Sequence, residues 1–453
     1  MQLEDQSLEI LAESLKKLEK GFSALPDVAN HYDYAAIRKV MLEVADKMQD
    51  NYPYAHPFYA GQMLKPPHPV ARLAYMLSLW INPNNHAIDG GRASSRLEKE
   101  AVAEIARMFG WETALGHLCS GGTMANLEAL WVAGKLNPGK LVVASEVAHY
   151  THSRISEVLK LPFQSIPCDS YCRMDLEALE KVLKTGRVGT VVATIGTTAA
   201  GCIDPLPEIL KLKEKYGFRL HADSAYGGYF ILADNLSPAT RQAYAVLKQV
   251  DSIVVDPHKH GLQPFGCGCV LFRDPGVGVL YKHESPYTYF SSKELHLGEI
   301  SLECSRPGAA AVALWATQKL LPMTPGGEFA IALSKSRRAA IEFYRRLSQD
   351  PRFKTFLEPQ LDIVVWAPRA DTQSQISAMS QAIFETAAQH DLHLAVFKYP
   401  ARLLKSSWPE VQFDSEFVTC LRSCLMKPEH LDWLDRIWKI LDSVTDEVMG
   451  KAK

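Results

Sequence analysis

Between about residues 95 and 275 the chain alternates short apolar runs with helix-length segments, and this alternation limits its fold more than any other feature. The run GHLCSGG leads into Met124–Leu136, and LVVAS precedes a helix expected near 151–160. Further runs stand in GTVVATI, FRLHADS, DSIVVD and GCVLFRD. Near-continuous apolar strands separated by helices imply α/β class, with a mostly parallel sheet of about seven strands buried on both faces. Acidic or turn-forming residues end several of these runs, where open α/β sheets place their ligands.

The flanks read differently. Leu8, Leu11, Leu15 and Leu18 recur at helical spacing, as do Ile37, Val40, Met41 and Val44, so residues 1 to about 50 are expected to be helical. The stripe of such an arm must be buried against the body or a partner subunit. Residues 53–69 are rich in Pro and His and read as irregular. After the cluster LLPMTPGGEF, a long helix at about 328–348, the strand LDIVVWA, a helix near 373–390, the strands LHLAVFK and VTCLRSCLM and a last helix from about 428 suggest a smaller α+β unit. The expected division is an N-terminal arm at 1–65, a large domain at 66–322 and a small domain at 323–453.

Composition narrows the function classes. At 453 residues, more than one domain is expected. Lys and Arg number 49 against 51 Asp and Glu, a balance that speaks against a polybasic nucleic-acid binder. The longest apolar runs, such as Gly308–Trp315, fall well short of the ~20 residues needed to cross a bilayer. The N-terminus opens with acids and has no apolar signal core, and 9 scattered cysteines fit free thiols in a reducing compartment. The expectation is a cytoplasmic protein with no nucleic-acid or membrane partner.

Three windows carry the chemistry. In DSIVVDPHKHG an apolar strand ends at Asp256, Pro257 breaks it, and His258, Lys259 and His260 follow on a tight turn. Partial desolvation past a buried strand suits a lysine to Schiff-base chemistry, although a lone lysine on a loop more often faces solvent. The two histidines lack companions at metal spacing, so no metal is expected. In LHADSAYGGY, Asp223 ends another strand and could pair with a protonated pyridine nitrogen, or simply cap a helix. Ala225 is small enough for a flat ring to lie against it. In CSGGTMANLEAL, Ser120, Gly121, Gly122 and Thr123 lead into a helix whose first N–H groups form a phosphate cradle. The Walker and dinucleotide-binding patterns are absent from it. A phosphate cradle, a strand-end acid and a strand-end lysine together supply the handles that one cofactor needs.

These residues give the chain its resemblance. It is similar to the group II pyridoxal-phosphate-dependent amino acid decarboxylases, which act on glutamate, aromatic amino acids, tyrosine or aspartate. The lysine motif stands as Asp256-Pro257-His258-Lys259, the cradle as SGGTMAN through Asn126, and the acid motif as HADSAYGG from His221 to Gly228. SEVAHYT carries Thr151 where the family has serine, and GTTAAGCIDPLPEI runs from Gly196 to Ile209. The likeness covers most of residues 55–435. It implies fold type I of the pyridoxal-phosphate enzymes: a large domain with a mostly parallel seven-stranded sheet, a smaller α+β C-terminal domain, and a homodimer with active sites at the interface.

Roles follow from the resemblance residue by residue. Lys259 would form the Schiff base with pyridoxal 5'-phosphate, Asp223 would hold the pyridinium proton, and His149 would stack on the ring with Ala225 on the other face. Ser120, Gly122 and Thr123 would hold phosphate, with Asn126 in the same motif and His258 beside it, and Thr197 would approach the ring hydroxyl. Arg422, in TCLRSCLMKPEH, matches a family arginine that meets the substrate carboxylate. Gln62 falls in HPFYAGQM where relatives read HPRFxNQ, so substrate recognition departs from the pattern there. Arg306 in CSRPGAAA matches an arginine of tyrosine-decarboxylase-like relatives and receives no role.

Decarboxylation needs the bond from Cα to the carboxylate perpendicular to the cofactor plane and a proton delivered to Cα afterwards. In the family a loop tyrosine delivers it, and Tyr281–Glu299 has the length and polarity of such a loop. Tyr287 is the expected donor and Tyr289 the second choice. The expected reaction converts an L-amino acid to its primary amine and CO2. The alternative is another pyridoxal-phosphate reaction on this fold, aminotransfer or carbon–carbon cleavage. An aromatic and an acidic substrate side chain fit the sequence equally.

Overall fold

Strands β1 (Leu115–Cys119), β2 (Leu141–Ser145), β3 (Phe163–Ile166), β4 (Val188–Thr194), β5 (Arg219–Asp223), β6 (Ser252–Val255) and β7 (Gly268–Phe272) form one sheet in the order β1-β7-β6-β5-β4-β2-β3. Only β7 runs against its neighbours, β1 and β6; the other pairs are parallel. The computed structural model that shows this describes residues 5–451 except 27, 30 and 283–300. The central strands are apolar because both faces are covered by helices, and β6 and β7 are buried at every position.

The sequence marked six of these strands. It did not mark β3, which lies at the sheet edge beside β2 and buries only Ile166. Without a second covered face, no apolar run forms there.

A second, four-stranded antiparallel sheet contains β8 (Phe353–Thr355), β9 (Ile363–Pro368), β10 (Ala395–Pro400) and β11 (Phe417–Cys424) in the order β10-β11-β9-β8. Helices Glu328–Gln349, Gln373–Gln389 and His430–Lys451 bury their apolar stripes against it around Trp366, Phe343, Ile383 and Leu441. Thr372 and Gln375 close a capping box that starts the middle helix. Ala60, from the segment read as irregular, is part of this core. Its N–H donates to His393 O at 2.9 Å, and Cys424 N donates to Ala60 O at 2.7 Å.

The N-terminal region is two helices, Asp5–Lys20 and Tyr34–Met48, separated by a turn-rich stretch that includes Gly21 and Pro26. Leu11 is the one buried residue of the first helix, and the second buries none. Asp33 caps the second by accepting from Ala35 N and Ala36 N, both at 3.0 Å. Ile37, Val40, Met41 and Val44 form the expected stripe, yet the chain itself does not cover it. Among the described residues no helix is long and apolar enough to cross a membrane.

Candidate active site

The C-terminal ends of β4, β5 and β6 converge on a cavity of about 380 Å³. The parallel register places Thr194 beside Asp223, and Asp223 beside Val254, so three strand ends open at one level. Helix Gly122–Leu136 points its N-terminus into the same cavity from the loop after β1.

Lys259 sits on the turn after β6. Lys259 N donates to Asp256 O at 2.9 Å, His258 N to Cys267 O at 3.1 Å, and Gln263 N to Pro257 O at 3.2 Å. A β-carbon on Gly261 would meet Pro257 Cα and Tyr229 Oη, both at 2.6 Å, so only glycine lets the turn close. Lys259 Nζ lies 3.0 Å from Asp256 Oδ2. The lysine is therefore paired with a buried carboxylate, a partner that the reading from desolvation alone did not include. His258 donates Nδ1–H to Cys267 O at 2.8 Å, and burial lowers its imidazole pKa against the opposing charge of Asp256.

Asp223, 5% exposed, accepts from His152 Nε2 on Oδ2 at 2.8 Å and from Ala225 N on Oδ1 at 3.1 Å. Burial alone would raise its pKa. The His152 hydrogen bond and the charges of His152, His221 and Lys259 outweigh burial and hold the carboxyl well below the usual carboxylate range. His221 donates Nε2–H to Asn126 Oδ1 at 2.8 Å, and burial pushes its own pKa down to about 3. Asn126, expected at the cofactor, lines the cavity while its amide oxygen is held by His221.

His149 and Ala225 both line the cavity. The Nδ1 of His149 accepts from Thr151 N at 3.3 Å and from Thr151 Oγ1 at 2.9 Å, so the threonine in the serine position does the orienting. Burial lowers the imidazole pKa of His149, opposed by Asp223. Ser120, Gly121, Gly122 and Thr123 form the cavity wall at the helix N-terminus, where the first N–H groups have no intrahelical acceptor. The Ser120 N–H is engaged by Glu303 Oε2 at 2.9 Å, which leaves the amides of the helix itself for an anion. The wall rests on β7, because a β-carbon on Gly268 would meet Gly121 C at 2.5 Å.

Thr197, expected near the ring hydroxyl, is buried with its Oγ1 accepting from Cys202 N at 3.0 Å inside the turn after β4, and it is not among the residues that line the cavity. Thr194 and Thr198 line it instead, and Thr194 Oγ1 is buried with no hydrogen-bond partner among the described residues. Arg422 and Gln62, named separately from the sequence, are joined: Arg422 Nη2 donates to Gln62 Oε1 at 2.7 Å and Nη1 to Thr198 O at 3.0 Å. Arg422 Nε has no hydrogen-bond partner among the described residues. Arg306, left without a role, is a buried structural cation that pairs with Glu98 at 2.6 Å and also donates to the carbonyls of Leu118 and Asn85. Tyr287 and Tyr289 lie outside the described residues. His152 escaped the sequence reading, although its three-residue spacing from His149 on a helix start is a signal that could have found it.

The residues present fit a phosphorylated pyridine aldehyde. A lysine amine, an anionic acceptor and a glycine-backed helix N-terminus border one cavity, and the buried Thr194 Oγ1 and Asp256 Oδ1 have no hydrogen-bond partner among the described residues.

Comparison with known proteins agrees. The family model described as the pyridoxal-dependent decarboxylase conserved domain matches residues 38–368. Similar curated proteins include a probable L-tyrosine/L-aspartate decarboxylase of Methanothermobacter thermautotrophicus, 29% identical over 68% of this chain and 82% of its own length. The L-tyrosine decarboxylase of Enterococcus faecium is 25% identical, with 77% of this chain and 76% of that protein covered. The L-aspartate decarboxylase of Thermococcus kodakarensis is 29% identical over 73% and 84%. Among solved structures, Oryza sativa TDC with PLP and tryptamine superposes with a TM-score of 0.79 at 17% identity, covering 99% of both chains.

Proposed function

The chain belongs to the pyridoxal-dependent decarboxylase family and has the type I fold of pyridoxal-phosphate enzymes, and from that premise we propose a role for each residue in its reaction. That reaction is the pyridoxal-phosphate-dependent decarboxylation of an amino acid, giving CO2 and a primary amine. Membership of this family favours it over aminotransfer or carbon–carbon cleavage.

When bound, pyridoxal 5'-phosphate supplies an electron sink for the pair left at Cα as CO2 departs. Lys259 Nζ would hold the aldehyde end, and Asp223 would hold the ring nitrogen through a carboxylate kept anionic. The helix N-terminus at Gly122 and Thr123, with Ser120 and His258, would hold the phosphate. Thr194 would be the hydroxyl on the ring side in place of Thr197. His149 would cover one ring face and Ala225 the other, and low dielectric would strengthen each of these contacts. Arg422 orients the substrate carboxylate, with Gln62 fixing its guanidinium plane. Tyr287 delivers the proton to Cα, with Tyr289 the second choice.

The observation that carries this reading is the convergence of Lys259, Asp223 and the cradle on one cavity. Support for a homodimer comes from helix Tyr34–Met48, which buries no residue and presents its apolar stripe outward. A reducing, cytoplasmic setting fits the nine cysteines, all free and eight of them buried. The domain division at about 65 and 322 is kept on the same footing, with Ala60 reassigned to the small unit. The test is CO2 release across the twenty amino acids plus 2,4-diaminobutyrate and DOPA, with tyrosine and aspartate first. Release from one aromatic or acidic member is the expected result. No release from any of them, with transamination intact, overturns the proposal.

A further inference from the structure

His152 follows the last residue of the SEVAHYT stretch and lies in the first turn of helix Thr151–Val158. It is 1% exposed, and among the described residues its ring makes a single hydrogen bond, from Nε2 to Asp223 Oδ2 at 2.8 Å, with none at Nδ1. The one hydrogen bond that the ring makes among the described residues is directed at the carboxylate that faces the cofactor cavity.

The geometry points to His152 as a positioning residue that fixes the rotamer of Asp223 by donating Nε2–H to Oδ2 while Ala225 N holds Oδ1. With one donor on each oxygen the carboxylate plane cannot turn, and each oxygen keeps a free lone pair for a further N–H. A charge-assisted bond between buried groups is stronger than its exposed counterpart, and it stabilises the anionic form of the acid. The bond therefore keeps Asp223 an acceptor, leaving a proton on the group it faces. The titratable groups facing Asp223 are His152 from the helix, His149 just before it, His221 from β5 itself and Lys259 from the turn after β6. Of these, only His152 touches the carboxylate.

This inference rests on the placement of the ring nitrogen at Asp223, so Asp223→Asn is measured beside the His152 variants. His152→Phe removes the donor and fills the space, His152→Asn carries an amide too short to reach Oδ2, and His152→Gln carries an amide N–H that can reach it. The readouts on purified holoprotein are the pH midpoint of the visible cofactor band, the rate of cofactor release into excess apo-acceptor protein, and kcat and KM separately. For Phe and Asn we expect a midpoint shift of about half a pH unit or more, release faster by about fivefold, and kcat lower by about tenfold, as loss of a charged hydrogen bond implies. KM should change by less than about threefold, and Gln should restore every readout to within about threefold, because the lost interaction is a single donor. His152→Phe and His152→Asn matching wild type in midpoint and release, with kcat within about twofold, would overturn the assignment. If Asp223→Asn is impaired while those variants are not, this inference alone falls. If Asp223→Asn is silent too, the ring nitrogen lies elsewhere and the site placement falls with it.

Discussion

Gly122 and Asp256 stand so close that a β-carbon on the glycine would meet Asp256 Oδ2 at 2.7 Å and Oδ1 at 3.1 Å. The same Asp256 Oδ2 lies 3.0 Å from Lys259 Nζ, so the cradle and the lysine turn share a wall with no spare volume. A methyl group at 122 has nowhere to go except into the anion site or against the carboxylate.

Gly122→Ala should therefore weaken cofactor retention by about tenfold or more, since overpacking at such a contact costs roughly 1–3 kcal/mol. Equilibrium dialysis of apoprotein against the cofactor measures it. Unchanged affinity would mean that the phosphate is held elsewhere.

Asp223→Asn removes the buried anion from the ring nitrogen. Truncating one partner of a buried charged pair costs about 2–5 kcal/mol, so kcat should fall by about thirtyfold or more. Steady-state decarboxylation at saturating substrate checks this, and the loss should exceed that of any His152 variant, because histidine acts only through the acid.

Arg422→Lys keeps the charge but loses the planar fork that reaches Gln62 and Thr198 at once. KM should rise by about tenfold, while Gln62→Ala should raise it by only about twofold to threefold, since it frees rather than removes the guanidinium. Equal effects from the two would contradict the assignment of Arg422 to the substrate carboxylate.

Asp362 gives a pH-dependent stability. It is fully buried at the start of β9, where it accepts from Tyr226 Oη at 2.6 Å and lies 3.3 Å from His260 Nε2. Burial pushes its pKa up to about 7, against the opposing pull of the Tyr226 bond and Lys65. A carboxyl raised in the folded state favours folding fully below its ordinary value near 3.8, and the advantage is lost as pH rises to about 7. Asp362→Asn mimics the protonated form. Apoprotein carrying it should melt above wild type at pH ~8, with the gap closing towards pH ~5, in line with a pair worth a few kcal/mol. A gap that does not vary with pH would show that the wild-type carboxyl does not titrate in this range.

Strand ends and motif residues were legible in the sequence because they depend on local chain order. Asp223 ends and Lys259 closely follows a run made apolar by two covered faces, and Gly122 opens a helix whose start is set by its own residues. The remaining features depend on chain segments meeting. Thr194 and Thr197 are both hydroxyls at the end of β4, and the turn back to Cys202 decides which one reaches the cavity. Arg422 and Gln62 were both named, but they stand 360 positions apart and nothing local pairs them. β3 was missed because an edge strand with one buried residue carries no apolar period. Arg306 shows how a motif position can serve support rather than chemistry, since its two terminal guanidinium nitrogens bond Glu98 and the carbonyls of Leu118 and Asn85.

The most direct measurement reduces holoprotein with borohydride and maps the resulting adduct by peptide mass spectrometry. The account predicts that the cofactor's mass is found on the peptide bearing Lys259, and that the visible band and the adduct both disappear in Lys259→Ala. An adduct on another lysine, or none on protein that decarboxylates its substrate, would contradict it.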